Sequence, residues 1–409
     1  MLATGRKEKG FSTGVPVFIA ALTGIRAIAA YLVFFHHYGI PSPDSLKDAF
    51  KSFALECHVG VVFFFVLSGF VITYRNFESS NMEKGWLLQY ARNRVARIYP
   101  VYFLLMLLLF WASWNPTLTG ISLDNWIPFN VHDSFEMWTN FTLTKSFFNQ
   151  LKFTGYPQAW SLTVEECFYF SAPLIFWAIR KRKWWIPVLT IPLLGTCLIL
   201  FAPHPRGFVN NWVFALTYTY FGTFIEFFIG MALALLILKF RDNPEKLRFT
   251  RWPVYTYLGL LGSFGTIVVM SCLSVDPSIS LQVNLITVAW FSPWGLVLDG
   301  LILPLCLFVF YGGLVVEKSL IQKLLSSPLM VLLGQSSYSF YLIQQGIVMG
   351  FISYKLTSDW YGAFTWTIIF SILIYKWIEE PLNRLIRGKK SPVLQVVNST
   401  SSQISEQSA

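Results

Sequence analysis

Apolar residues in this chain come in blocks about twenty residues long, separated by shorter polar segments in which lysine and arginine concentrate. At 1.5 Å rise per residue, such a block spans the hydrocarbon core of a bilayer as one helix. The blocks fall near 15–39, 59–74, 98–114, 161–179, 184–202, 212–238, 254–273, 294–316, 328–354 and 360–378. They predict an all-α, polytopic membrane bundle of about ten transmembrane helices, in contact with membrane lipid. The second and third blocks are short, and Leu281 to Trp290 reads as interfacial.

The polar segments give the bundle a direction. Arg6, Lys7 and Lys9, the run from Arg75 to Arg97, Arg180 to Lys183, Lys239 to Arg251, Lys318 and Lys323, and Arg384 to Lys390 all fall on one side. Lys47, Lys51, Lys145, Lys152, Arg206 and Lys355 are left for the other. This asymmetry predicts both termini in the cytoplasm. It divides the chain into a cytoplasmic tail over 1–14, a membrane domain over 15–388 and a Ser- and Gln-rich disordered cytoplasmic tail over 389–409.

Composition agrees, with 55% hydrophobic and 13% charged residues against about 25% charged in soluble domains. Because loop placement accounts for most of the formal charge of +10, no nucleic-acid partner is implied. The first block is too long for a cleaved signal peptide and lacks its small-residue cleavage site. The five cysteines have no C-x-x-C pair and lie mostly inside apolar blocks, the pattern of buried inert thiols. The segment from Asn115 to Pro157 carries Trp126, Phe129, Phe135, Trp138, Phe141 and further aromatics, which predicts that it packs back on the bundle.

Polar intruders in the apolar blocks are the candidate chemistry, because a charge near mid-membrane costs roughly 2.5–3.5 kcal/mol on insertion scales. Arg26 and His37 are eleven positions apart on the first helix, which puts them within about 20° of one face and about 16 Å apart; His36 sits about 100° away. An imidazole there can take a proton from a hydroxyl at neutral pH. Arg94 and Arg97, at i and i+3 in the segment between the second and third blocks, share a side and suit bidentate phosphate binding. In Trp160-Ser161-Leu162-Thr163-Val164-Glu165, Ser161 is placed to cap the fourth helix, and Glu165 enters at about the depth of His37, where it can orient the imidazole. His58 stands near the outer surface beside Gly60 to Phe70. Glu226, Asp299 and Glu379 read as helix-to-helix pairing groups. No metal site is suggested.

Together these motifs resemble the acyltransferase family 3 of integral membrane O-acyltransferases. The resemblance runs from about Thr23 to Arg387 and rests on Arg26 with His37, Gly60 to Phe70, Arg94-x-x-Arg97 with Tyr99-Pro100, Trp160-Ser161-Leu162-x-x-Glu165-x-x-Phe168-Tyr169, and Glu379-x-Pro381. It implies an O-acetyltransferase of the bacterial inner membrane that uses cytoplasmic acetyl-CoA and no metal. The acceptor would be a hydroxyl of an extracytoplasmic carbohydrate, glycolipid or other envelope compound. By position, His37, Arg26 and Glu165 would be catalytic, Arg94 and Arg97 would contact the CoA phosphates, and Trp160, Ser161 and His58 would lie on the substrate side.

Two positions depart from that pattern. Val62 stands where many members have Asp, and Gln344 follows Ser337 to Leu342 where that block has His. No SGNH-type esterase domain follows the bundle, so a stand-alone form is expected, with its outer loops or a partner supplying acceptor recognition. The alternatives are a proton-coupled transporter or exporter, and a catalytically silent relative binding CoA or lipid. The lack of an internal repeat with matched Gly or Pro interruptions weighs against transport.

Overall fold

In hydrocarbon the backbone must satisfy its own hydrogen bonds, so apolar blocks of this length fold as helices. The computed structural model describes residues 19–41, 47–80, 82–114, 133–241, 243–247, 252–275, 281–283, 286–288 and 292–387. The two predicted tails, Trp126 and Phe129 lie outside the described residues. The chain opens with α1 (Ala20–Tyr38), α2 (Lys47–Glu56), α3 (Gly60–Asn76) and α4 (Lys84–Trp114). After the short α5 (Ser134–Phe141) come α6 (Trp160–Arg180), α7 (Trp185–Phe201), α8 (Trp212–Tyr218), α9 (Tyr220–Lys239) and α10 (Val254–Val275). The last part holds α11 (Pro293–Val297), α12 (Leu303–Val316), α13 (Leu320–Leu325), α14 (Pro328–Gln335), α15 (Ser337–Ile343), α16 (Ile347–Phe351), α17 (Trp360–Ile374) and α18 (Glu380–Arg387).

Among the described residues, eight helical stretches are long and apolar enough to cross a membrane, and Trp185–Phe201 and Ile347–Leu356 are shorter apolar helices. The all-α bundle is as expected, with one small addition: Leu281–Val283 and Ile286–Val288 pair as an antiparallel hairpin. Two expectations need correction. The block over 328–354 is not one span but α14, α15 and α16, broken after Ile343 and restarted at Gly346, whose φ of 82° suits glycine. The block over 98–114 is the second half of the 31-residue α4, so Arg94 and Arg97 sit inside a helix rather than in a connecting segment. Of the cysteines, Cys57 is buried as expected, whereas Cys197 and Cys272 are exposed.

Close backbone contact sets the centre of the bundle. A side chain on Gly69 of α3 would strike the Phe227 backbone of α9, and one on Gly230 of α9 would strike the Val66 backbone of α3. Small residues of this kind let membrane helices approach without a hydrophobic driving force. Beside the contact, Phe227 stacks on Phe65 at 4.7 Å and on Phe168 at 4.4 Å. The segment before α6 packs back on the bundle as its aromatics suggested: Phe141 stacks on Phe110 of α4 at 5.2 Å. Lys145 is wholly buried there, and its Nζ donates to the carbonyls of Thr154 (2.7 Å) and Tyr156 (2.6 Å).

Two outcomes follow. Gly69→Val should cost about 2–3 kcal/mol or abolish folding, because both partners of the clash are backbone; heat stability of the purified protein measures it. Burial holds the Lys145 amine well below the usual lysine value, so the native state sheds this proton before the unfolded chain does at about pH 10.4. The native state should therefore gain stability relative to Lys145→Met as pH rises from 7 toward 10, and unfolding of the two proteins across that range is the check.

Candidate active site

At the C-terminal end of α1 the helices part around a cavity of about 300 Å³, lined among others by His36, His37, His58, Trp160, Glu226 and Asp299. His37 faces it and is exposed. His36, expected off this face, also lines it, with its ring 4.9 Å from that of His37 and 5.7 Å from that of His58. The His36 Nδ1 lies 2.7 Å from the Leu55 carbonyl. A carbonyl only accepts, so Nδ1 carries the hydrogen and Nε2 keeps the lone pair. His58 sits between two carboxylates, with Nδ1 3.8 Å from Glu56 Oε2 and Nε2 3.7 Å from Asp299 Oδ2. Asp299 belongs to a π-helical turn, Leu298–Ile302, a distortion that often marks functional positions.

The Trp160 block reaches this cavity in a different way from that expected. Trp160 lines it, edge-on to Tyr218 at 5.0 Å. Ser161 does not cap α6, because a 3-10 turn over Pro157–Ala159 leads into the helix; it donates to the Gln158 carbonyl at 3.1 Å and pairs with the Tyr341 hydroxyl at 2.8 Å. Glu165 is not among the lining residues. Its Oε1 accepts from Ser68 Oγ at 2.6 Å and from the Tyr169 hydroxyl, and its charge acts on Arg26. Glu165 thus acts on Arg26 by charge and lies outside the lining of the histidine cavity.

The layer around Arg26 is an ionic network. Arg97 pairs with Glu379, which is 2% exposed and also accepts from Ser339 Oγ at 2.7 Å. The charges of Arg97, Glu165 and Glu379 all reach Arg26, whose buried Nε has no hydrogen-bond partner among the described residues. The pairing expected of Glu379 is present and engages Arg97 through Nη1, while the Arg97 Nη2 has no partner among the described residues. Arg94 lies instead against the Tyr90 and Tyr169 rings at 5.7 and 5.4 Å, with its Nε unpartnered among the described residues.

Arg94 belongs to a third layer. The charges of Arg94 and Arg97 act on Arg75 at the end of α3 and on Arg387 at the end of α18, and the Arg387 Nε is also unpartnered. Among the described residues Arg75, Arg94 and Arg387 have no ion pair, and Glu379 is already taken by Arg97. Surplus positive charge with unpartnered N–H groups suits an anionic ligand.

A family model described as an acyltransferase domain matches residues 19–376. The chain belongs to the acyltransferase 3 family. Within it, the chain is 25% identical over 404 residues to "Putative O-acetyltransferase SACOL0978" of Staphylococcus aureus (strain COL), covering 92% of this chain and 59% of that protein. It is 24% identical over 393 residues to the O-acetyltransferase OatA of Staphylococcus aureus (strain NCTC 8325 / PS 47), covering 93% and 59%. It is 25% identical over 236 residues to the acyltransferase MdmB of Streptomyces mycarofaciens, covering 54% and 57%. The chain therefore spans about three fifths of the length of these curated relatives. No solved structure matches it. This acyltransferase 3 chain is an integral, multi-pass membrane protein.

Sequence reasoning missed Glu226 and Asp299 as cavity residues, and Arg75 and Arg387 as partners of Arg94. The cost of a carboxylate in an apolar block was the available signal, but it could not tell pairing from a cavity. Val62 lines the same cavity. Gln344 is fully buried at the end of α15, and its backbone carbonyl accepts from the Tyr38 hydroxyl at 2.6 Å.

Because Glu379 compensates Arg97 inside the bundle, Glu379→Ala should lower stability by about 3–5 kcal/mol. Arg94→Ala, which breaks no ion pair, should cost far less. Heat stability of the two variants in the same detergent separates them.

Proposed function

We propose that the chain is a membrane O-acyltransferase that moves an acetyl group from acetyl-CoA on the cytoplasmic side to a hydroxyl of an extracytoplasmic glycan, glycolipid or other envelope acceptor, in a bacterial cytoplasmic membrane. The observation that carries the reading is the polarity along α1. Unpartnered arginine N–H groups lie beyond its Arg26 end, and an imidazole-lined cavity lies at its His37 end.

Arg94, with Arg75 and Arg387, would hold the phosphates. Arg26 would keep a cation along the path over the ~16 Å to His37, and Glu165 and Glu379 make that cation tolerable in the membrane. In the cavity, His37 would take the proton of the acceptor hydroxyl while the oxygen bonds to the acyl carbon. The acyl carbon–sulfur bond breaks, and the proton goes on to the departing thiolate, so the products are an O-acetyl ester and free CoA thiol. The outer loop or a partner protein would present the acceptor. The Trp160 block supports the site by forming one wall and by fixing Tyr341 beneath it.

Acetyl-CoA at a hundred times its dissociation constant should stabilise the detergent-purified protein by about 2.7 kcal/mol. The gain should vanish in Arg94→Ala/Arg387→Ala, and His37→Ala should keep binding but release no CoA thiol. A well-folded wild type indifferent to acetyl-CoA would overturn the assignment.

A further inference from the structure

The polar atoms of the histidine cavity are unevenly matched. Four amide and carboxyl oxygens of its lining residues are buried with no partner among the described residues: Gln158 Oε1, Glu226 Oε2, Asp299 Oδ1 and Gln345 Oε1. The Gln158 amide is oriented by its Nε2, which donates to the Leu342 carbonyl at 2.6 Å. Glu226 is 4% exposed. Glu226 and Asp299 come from α9 and from the π turn and line the same cavity. Asp299, a lining residue, sets Oδ2 3.7 Å from His58 Nε2 while its Oδ1 has no partner among the described residues. Among the described residues no lysine or arginine lines the cavity, and its remaining walls include Phe65, Trp160 and Tyr218.

Acceptor oxygens, two carboxyl groups and aromatic rings together call for a ligand that donates hydrogen bonds and carries positive charge. An ammonium group offers three N–H donors and no acceptor. It makes charge-assisted bonds to carboxylates and is attracted to ring faces. We propose that the acceptor bound in this cavity carries an ammonium group, as in an amino sugar, and that Glu226 and Asp299 hold it while a neighbouring hydroxyl is presented to His37. The inference rests on the reading of this cavity as the acceptor site. A neutral analogue leaves the carboxyl edge without its donors, and an anionic one meets like charge in a poorly hydrated space. The site therefore discriminates by unpaired groups as well as by attraction.

Glucosamine, glucose and glucuronate share one ring and differ in charge. Each is titrated into the purified full chain with heat stability as the readout, and acetyl-CoA is titrated in parallel. Glucosamine should stabilise at concentrations at least tenfold below those needed for glucose, and glucuronate should have no effect. Glu226→Gln and Asp299→Asn should each erase the preference while the acetyl-CoA response stays. Equal responses to glucose and glucosamine, no response to any of the three, or a preference retained in both variants overturns the proposal. If one variant fails to fold, the other carries the test. Absence of an acetyl-CoA response bears on the parent assignment and is read independently of the sugars.

Discussion

A charged group inside a membrane bundle must find its compensation within the protein, and that constraint fixes the middle of this structure. Arg97 and Glu379 form the central pair, Ser339 completes the carboxylate, and Arg26 and Glu165 extend the network with Ser68 and Tyr169. These side chains come from α1, α3, α4, α6, α15 and the turn before α18, so one layer of charge ties elements far apart in the chain. Removing one partner from such a pair leaves an uncompensated charge, which costs several kcal/mol. The layer therefore sets the relative depth of these helices, and with it the distance between the two chemically distinct ends of the bundle.

Above and below that layer the balance of charge is left open in opposite senses. At one end Arg75, Arg94 and Arg387 have no ion pair among the described residues, and at the other Glu226 and Asp299 line the histidine cavity. Compensated charge builds the scaffold, and the uncompensated ends are where ligands of opposite charge gain most. Arg94 and Arg97 show the division within one motif: three positions apart, Arg97 pairs with Glu379 while Arg94 lies against the Tyr90 and Tyr169 rings.

The apolar framework explains how an open cavity survives between closely packed helices. Glycine contacts bring α3 and α9 together at Gly69 and Gly230. At the histidine end the chain breaks its regular helices, between α8 and α9, at the Leu298–Ile302 π turn and after Ile343. Asp299 and Gln345 reach the cavity from two of these interruptions, whereas Glu226 reaches it from within α9. Irregular backbone at membrane depth is tolerated where it lines a cavity or is buried in protein.

Much of this was legible in the residue order. Block length determined a helical membrane bundle, and the shared stripe of Arg26 and His37 put the charged layer and the histidine cavity at two depths of one helix. Both readings depend only on the rise and turn of an α-helix, which are local. The block over 328–354 misled because apolarity alone carries no record of the break at Gln344–Gly346. Glu165 was assigned to the wrong layer because depth along one helix does not tell which neighbour it meets. The role of Glu379 as the partner of Arg97, and the entry of Glu226, Asp299 and His36 into one cavity, depend on the rotation and crossing of helices hundreds of residues apart. Those are decided by long-range packing of backbone on backbone, which no local period in the sequence records.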